Sequence, residues 1–259
     1  MNDRINWIDF AKGLCIILVV TGHIINGYLV TYSMQHSNLL IFSRILYLFH
    51  VHVFFFIAGM FFYQSFYKRG KKDFVVEKLK TILYPYFLWS IIQGCVEIAF
   101  SHFTAVPLSM GQLFAILYRP ISQFWFLYSL FVMNFLFALF ADQGKKAITL
   151  LMATSVILYF INIPTTFFDL GNMSKFMIFF ICGMLFKQFK IDDRVSLITN
   201  FSTVMAVACL FVVFSHFSVA NEVLLHAFLI PSLFGIIIGK LLVFSLSSMG
   251  IFMIILLSQ

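Results

Sequence analysis

The sequence predicts an all-α integral membrane protein, a polytopic bundle of about 8–10 transmembrane helices with its N-terminus in the cytoplasm. Three observations predict it. Of the 259 residues, 62% are hydrophobic and only 10% charged, whereas soluble domains carry about 25% charged residues. The chain therefore has too little polar surface to coat a globule. Apolar runs long enough to cross a bilayer recur along it. The basic residues behind the net charge of +7 sit in short loops between those runs. That is a topology signal, not a nucleic-acid-binding face.

The segments follow in order. Segment one covers residues 10–30; its run contains Asp and Lys and has no A-x-A site, so it is expected to stay in the mature protein. A polar loop is expected over residues 31–43. Segment two covers residues 45–66, ILYLFHVHVFFFIAGMFFYQSF. After it comes the most basic stretch, KRGKKDFVVEKLK at residues 68–80, a topological and lipid-facing loop that also suits an anionic cofactor. Its second half continues as DFVVEKLKTIL, which has helical spacing and is expected along the membrane surface. Segment three, residues 82–103, opens on Tyr84-Pro85-Tyr86, where a kink is expected. Residues 111–118 are apolar but too short to span, and are read as an interfacial or re-entrant piece. Segment four covers residues 123–141 and segment five residues 147–163. Segment six, between Lys175 and Lys187, is short and needs a thinned, tilted or buried setting. Segments seven and eight cover residues 195–217 and 222–239. Residues 241–257 form a ninth segment or continue the eighth.

With the N-terminus inside and strict alternation, 14 of the 17 basic residues fall on the inner side. Only Arg44, Arg119 and Lys175 fall outside, in keeping with the positive-inside rule. Depth follows from orientation. Lys12 lies near the cytoplasmic face, and His23 is roughly 20 Å in, toward the outer third. His50 enters from outside and lies roughly 7–8 Å below the outer face, a depth similar to that of His23.

Residues 7–26, WIDFAKGLCIILVVTGHIIN, carry Asp9, Lys12 and His23 in an otherwise apolar helix. Ionisable groups at membrane depth are costly and mark function. Lys12 and His23 point the same way, about 16 Å apart along the axis, and Asp9 lies one turn before Lys12. His23 suits proton transfer near neutral pH; the plainer alternative is a hydrogen bond to another helix. Lys12 reads either as a snorkelling interfacial lysine paired with Asp9 or as a cation receiving a phosphate-bearing cofactor. His50 and His52, two residues apart, point about 160° apart and cannot share a metal from one face. With no Asp, Glu or Cys nearby, no metal is expected. His50 is the expected interior partner of His23, and His52 is expected to be structural. Cys15, Cys95, Cys182 and Cys209 fall inside apolar runs and are expected to be small buried hydrophobes. Arg119-Pro120 and Gln123-Phe124-Trp125-Phe126 read as an outer aromatic belt, with a sugar-binding edge as the alternative. Glu97, His102, Asn134, Asp169, His216, Glu222 and His226 are scattered, and the sequence does not sort them.

Arg4, Asp9, Lys12-Gly13 and His23, in R-x4-D-x2-K-G-x9-H, resemble the opening helix of the membrane-bound acyltransferase 3 family, in its fucose 4-O-acetylase-like branch. Phe49-His50-Val51-His52-Val53-Phe54-Phe55-Phe56-Ile57-Ala58-Gly59 is similar to that family's F-H-x-P-L-F-F-F-I-S-G stretch, departing at Val51-His52. Phe124-Trp125-Phe126-Leu127 resembles its W-F-L segment, and Phe179-Phe180-Ile181-Cys182-Gly183 a later F-x-x-G helix. Residues 246–259, LSSMGIFMIILLSQ, look like the start of the family's final helix without its Tyr and His. The resemblance thus implies a single transmembrane acyltransferase domain over residues 1–259, either cut short of the family's final helix or divergent there. It also implies a multi-pass protein of the cell membrane that moves an acetyl or other acyl group. The donor would be cytoplasmic acetyl-CoA or another acyl-CoA, and the acceptor a hydroxyl of a cell-envelope carbohydrate or glycolipid, with no nucleic acid involved. On that reading His23 and His50 are catalytic, while Lys12 and Asp9 hold the donor. Two rivals stand beside it. One is a glycan-intermediate transporter or flippase-like permease, whose expected mark, interrupted helices in two matching halves, the sequence does not show. The other is an inactive truncated family member.

Overall fold

The structure, a computed structural model, describes residues 6–32, 38–101, 108–161, 163, 168–191, 207–208, 210–211 and 233–258. Every regular element among them is helical. Six of these helical stretches are long and apolar enough to cross a membrane: Trp7–Thr31, Asn38–Arg69, Lys71–Ala99, Met110–Ala141, Leu170–Gln188 and Gly239–Ser258. Lys146–Phe160 is a shorter apolar helix. The protein is therefore an all-α polytopic membrane protein. Segment seven and most of segment eight lie largely outside the described residues.

Contacts divide the chain into two compact units, one of Met1–Met60 with Cys182–Gln259, the other of Phe61–Ile181. In the first, α1 (Asn6–Thr31) buries one narrow stripe: Ile8, Ala11, Cys15, Gly22 and Leu29. Four of these recur every seventh residue, so a single seam faces the neighbouring helices. Phe10, Ile16, Ile17, Val20 and Ile24 are exposed and form lipid-facing surface. The seam packs on α2 (Asn38–Tyr47), α3 (His50–Met60) and the last helix, α11 (Leu233–Ser258). The C-terminal half of α10 (Leu170–Gln188) reaches α3 at Gly183, where a Cβ would overlap the Phe56 carbonyl oxygen.

The second unit has an aromatic core. Phe62 packs edge-on against Phe74 at 5.5 Å and Phe137 at 5.9 Å, and Phe137 meets Phe180 at 5.1 Å. These rings come from α4 (Phe62–Arg69), α5 (Lys71–Lys78), α8 (Trp125–Ala141) and α10. Around Tyr86 of α6 (Tyr84–Ala99), a second core gathers Ile116, Ile121 and Tyr128. α9 (Lys145–Phe160) packs on α8.

Several boundaries differ from the sequence reading, each for a local reason. Segment two begins earlier, at Asn38, so the expected polar loop is partly helical. It is also broken at residues 48–49. The stretch expected along the membrane surface runs into α6 through one π-helical turn, Leu79–Leu83. That wider turn sits where the Pro85 ring would press on the residue 81 carbonyl of a regular α-helix. The re-entrant piece folds as α7 (Met110–Phe114) and a 3₁₀ turn, Ala115–Leu117. Ser109 and Gln112 close a capping box at its start. The Tyr86 hydroxyl donates to the Ile116 carbonyl, tying the piece down. Segment six is not short: α10 starts at Leu170 and runs 19 residues. Phe168 and Asp169, both left-handed at φ 51 and 55, turn the chain into it. Residues 241–257 continue the helix that starts inside segment eight, the second of the two expected alternatives: α11 begins at Leu233, and its stretch Gly239–Ser258 is long and apolar enough to cross a membrane.

Candidate active site

His23 lies on the exposed flank of α1, beside the buried seam. The next residue toward the N-terminus, Gly22, has no side chain, and the Tyr47 ring lies over that gap. A Cβ at Gly22 would sit 3.4 Å from the ring's Cε2 and 3.8 Å from its hydroxyl oxygen. The phenol therefore reaches His23 edge-on, with centroids 6.2 Å apart and planes at 84°. The same ring meets His50 at 4.9 Å and 65°. Both expected histidines thus converge on one aromatic ring.

The break between α2 and α3 places them there. The Leu48 N–H is shared between the Arg44 and Ile45 carbonyls, each at 3.2 Å. His50, 1% exposed, then bonds through Nδ1 to the Leu46 carbonyl. A carbonyl only accepts, so Nδ1 carries the hydrogen and, in the neutral ring, Nε2 is the acceptor nitrogen. α11 holds the break from the other side. Its buried Ser247 donates its hydroxyl to the Leu48 carbonyl. One turn on, Gly250 packs so closely on Phe49 that a Cβ would overlap that side chain. Phe49 in turn stacks edge-on against Phe211 at 5.0 Å.

Lys12 is half-buried on the His23 flank of α1, and Asp9 is exposed one turn earlier. They are not brought to the histidines; Lys12 is about 16 Å from His23 along the axis. His52 is buried at 6% exposure. Among the described residues no cluster of three or more His, Cys, Asp or Glu could hold a metal.

Of the scattered polar residues, the structure sorts three. Asn134 is buried and donates to the Leu130 carbonyl of its own helix at 2.8 Å. Glu97 accepts from Gln93 at 2.7 Å, and Gln93 accepts from Gln123 at 2.7 Å, so these groups satisfy one another. Asp169, in the turn before α10, is 3% exposed. It accepts from the Ser129 hydroxyl and, at 2.9 Å, from the Asn172 amide. Burial pushes its carboxyl up to about 6, although those bonds and Lys175 act the other way. His102, His216, Glu222 and His226, with Arg4 and Cys209, lie outside the described residues. Cys95 departs from expectation: it is exposed, because that face of α6 is lipid-facing.

The basic stretch turns at Gly70, whose φ of 76 favours glycine. Arg69 pairs with Glu77, Lys71 with Asp142 at 3.0 Å, and Lys78 lies 5.1 Å from the Phe74 ring. Lys68, Lys72 and Lys80 are exposed.

Sequence reading missed Tyr47, Ser247 and Gly250. The available signals were a glycine beside His23 and an S-x-x-G pair in the final helix; neither names its partner.

The family described as Acyltransferase domain (Acyl_transf_3) matches residues 5–258. Nodulation protein NolL of Sinorhizobium fredii is 27% identical over 215 residues, covering 81% of this chain and 57% of that protein. Nodulation protein NolL of Mesorhizobium japonicum is 25% identical over 192 residues, covering 72% and 49%. The chain thus spans about half the length of the curated relatives it matches. No solved structure matches. With a family match from end to end of its helical core, the chain belongs to the acyltransferase 3 family.

Proposed function

We propose that this protein is a membrane O-acyltransferase of the cell membrane. It moves an acetyl or other acyl group from cytoplasmic acyl-CoA to a hydroxyl of a cell-envelope carbohydrate or related acceptor. The observation that carries the reading is the convergence of His23 and His50 on Tyr47 in a chain of this family.

Lys12, with Asp9 one turn before it, receives the donor's phosphates near the inner face. His23 works about 16 Å further along α1, a separation that a long donor such as acyl-CoA suits. His23 takes the proton of the acceptor hydroxyl as that oxygen attacks the thioester carbonyl carbon. The tetrahedral intermediate collapses, the C–S bond breaks, and the proton passes from the imidazole to the departing CoA thiolate. His50, with Nε2 as its acceptor, orients His23 or shares its proton. If His23 itself attacks first, the C–S bond breaks as an acetyl-imidazole forms and CoA leaves as the thiol; the acceptor hydroxyl then attacks the acetyl carbon, displaces the imidazole and gives up its proton to it. Label retained on the protein after rapid denaturation near neutral pH distinguishes that route from direct transfer, because an acyl-imidazole hydrolyses fast in acid.

The test supplies radiolabelled acetyl-CoA to membranes holding wild type or His23→Ala. Label entering glycan in wild type, reduced at least about 10²-fold in His23→Ala at equal membrane content, supports the reading. Undiminished transfer by His23→Ala would overturn the assignment of His23, and glycan movement without label would identify a carrier instead.

A further inference from the structure

We infer that Tyr47 is a positioning residue for His23, acting through its ring and not its hydroxyl. The inference rests on the acyl-transfer reading of the same site.

His23 stands on an exposed flank of α1, where its own helix does little to choose an imidazole orientation. The Tyr47 ring is an edge-on wall beside it, and edge-to-face contacts favour one relative orientation of two rings. Tyr47 is itself held. It is the last residue of α2, its ring lies over Gly22, and it also packs against the buried His50. The turn that follows is fixed by the Ser247 hydroxyl on the Leu48 carbonyl and by the close approach of Gly250 to Phe49. Position therefore passes from α11 to the turn, from the turn to Tyr47, and from Tyr47 to the imidazole that meets the acceptor. Both ring contacts survive in phenylalanine; neither survives in leucine.

The experiment compares wild type, Tyr47→Phe and Tyr47→Leu in membranes, at matched protein content, with acetyl-CoA as donor. Displacement of a reacting group by about 1 Å costs about 10²-fold. Tyr47→Leu should therefore lower kcat by roughly 10- to 100-fold and leave KM for acetyl-CoA within about twofold, while Tyr47→Phe keeps at least about half of wild-type kcat. A loss in Tyr47→Phe equal to that in Tyr47→Leu would assign the work to the hydroxyl and overturn the inference. So would an unchanged kcat in Tyr47→Leu, or a rise in KM matching the fall in kcat. A second readout needs no turnover: the rate at which diethyl pyrocarbonate modifies His23, read by mass spectrometry. That rate should rise in Tyr47→Leu and stay at the wild-type value in Tyr47→Phe; equal rates in all three would also overturn the inference. If wild-type membranes transfer no label, the acyl-transfer reading fails, and the modification rates still decide whether Tyr47 holds the imidazole.

Discussion

His50 and Asp169 are buried polar side chains whose local bonds determine what each can do. His50 commits Nδ1 to the Leu46 carbonyl, so proton exchange at this residue passes through Nε2. His50→Asn keeps an N–H near the Nδ1 position and deletes Nε2. It should lower acetyl transfer about tenfold or more while membrane content stays close to wild type; full transfer by this variant would leave His50 with packing alone. Asp169 sits in the turn outside the α10 span, with its carboxyl raised from 3.8 to about 6, first by burial. The folded protein then binds this proton more tightly than the unfolded chain does. The group's contribution to stability is fully present below about pH 4 and is lost as pH rises through about 6. Thermal unfolding in detergent should show that decline across pH 4–6. Asp169→Asn should flatten it, because no proton is exchanged there.

At the scale of elements, two glycines let helices approach closely, Gly183 against the α3 backbone and Gly250 against the root of the Phe49 side chain. A methyl at Gly183 would overlap the Phe56 carbonyl oxygen of α3, and one at Gly250 would overlap Phe49. Neither neighbour is the far end of a flexible side chain, so the helices must separate. Gly183→Ala should lower stability by about 1–3 kcal/mol, read as a fall in the unfolding midpoint. Gly250→Ala should in addition reduce transfer, because α11 then lifts from the turn that presents His50. Gly239, with nothing within 4 Å, is the control: Ala there should leave both measurements at or slightly above wild type. The narrow seam of α1 belongs to this scale as well. Ile8, Cys15, Gly22 and Leu29 repeat every seventh residue, so the helix keeps one face inward over its length. Lys12 and His23 fall together on the flank beside that seam.

For the whole molecule, the decisive quantity is direction across the membrane. The distribution of basic residues predicts that the Gly70 turn faces the cytoplasm, and the exposed Lys68 beside it allows a test. In a background freed of the four native cysteines, Lys68→Cys should react with a membrane-impermeant maleimide in inside-out vesicles and not in intact cells. The reverse pattern would place Lys12 at the outer face and remove its role toward a cytoplasmic donor.

Helical class, the membrane setting and the face shared by Lys12 and His23 were legible in the sequence. They depend on composition and on the 3.6-residue period, which any apolar run displays by itself. That His23 and His50 come to the same region was legible as a similarity of depth. The ring that both meet was not, because Tyr47 reads as one more aromatic in an aromatic-rich chain. The start of α10 was hidden for a similar reason: it depends on a left-handed turn and on a carboxylate held by Ser129, 40 residues away. So the sequence alone determined which residues are out of place in a lipid-soluble helix, since the cost of a buried ionisable group is a property of the residue and its neighbours along the chain. Only the tertiary structure decided which groups meet. The contacts of Tyr47 with Gly22, of Ser247 with Leu48 and of Gly250 with Phe49 depend on how closely separate helices approach, and that is set by where side chains are absent.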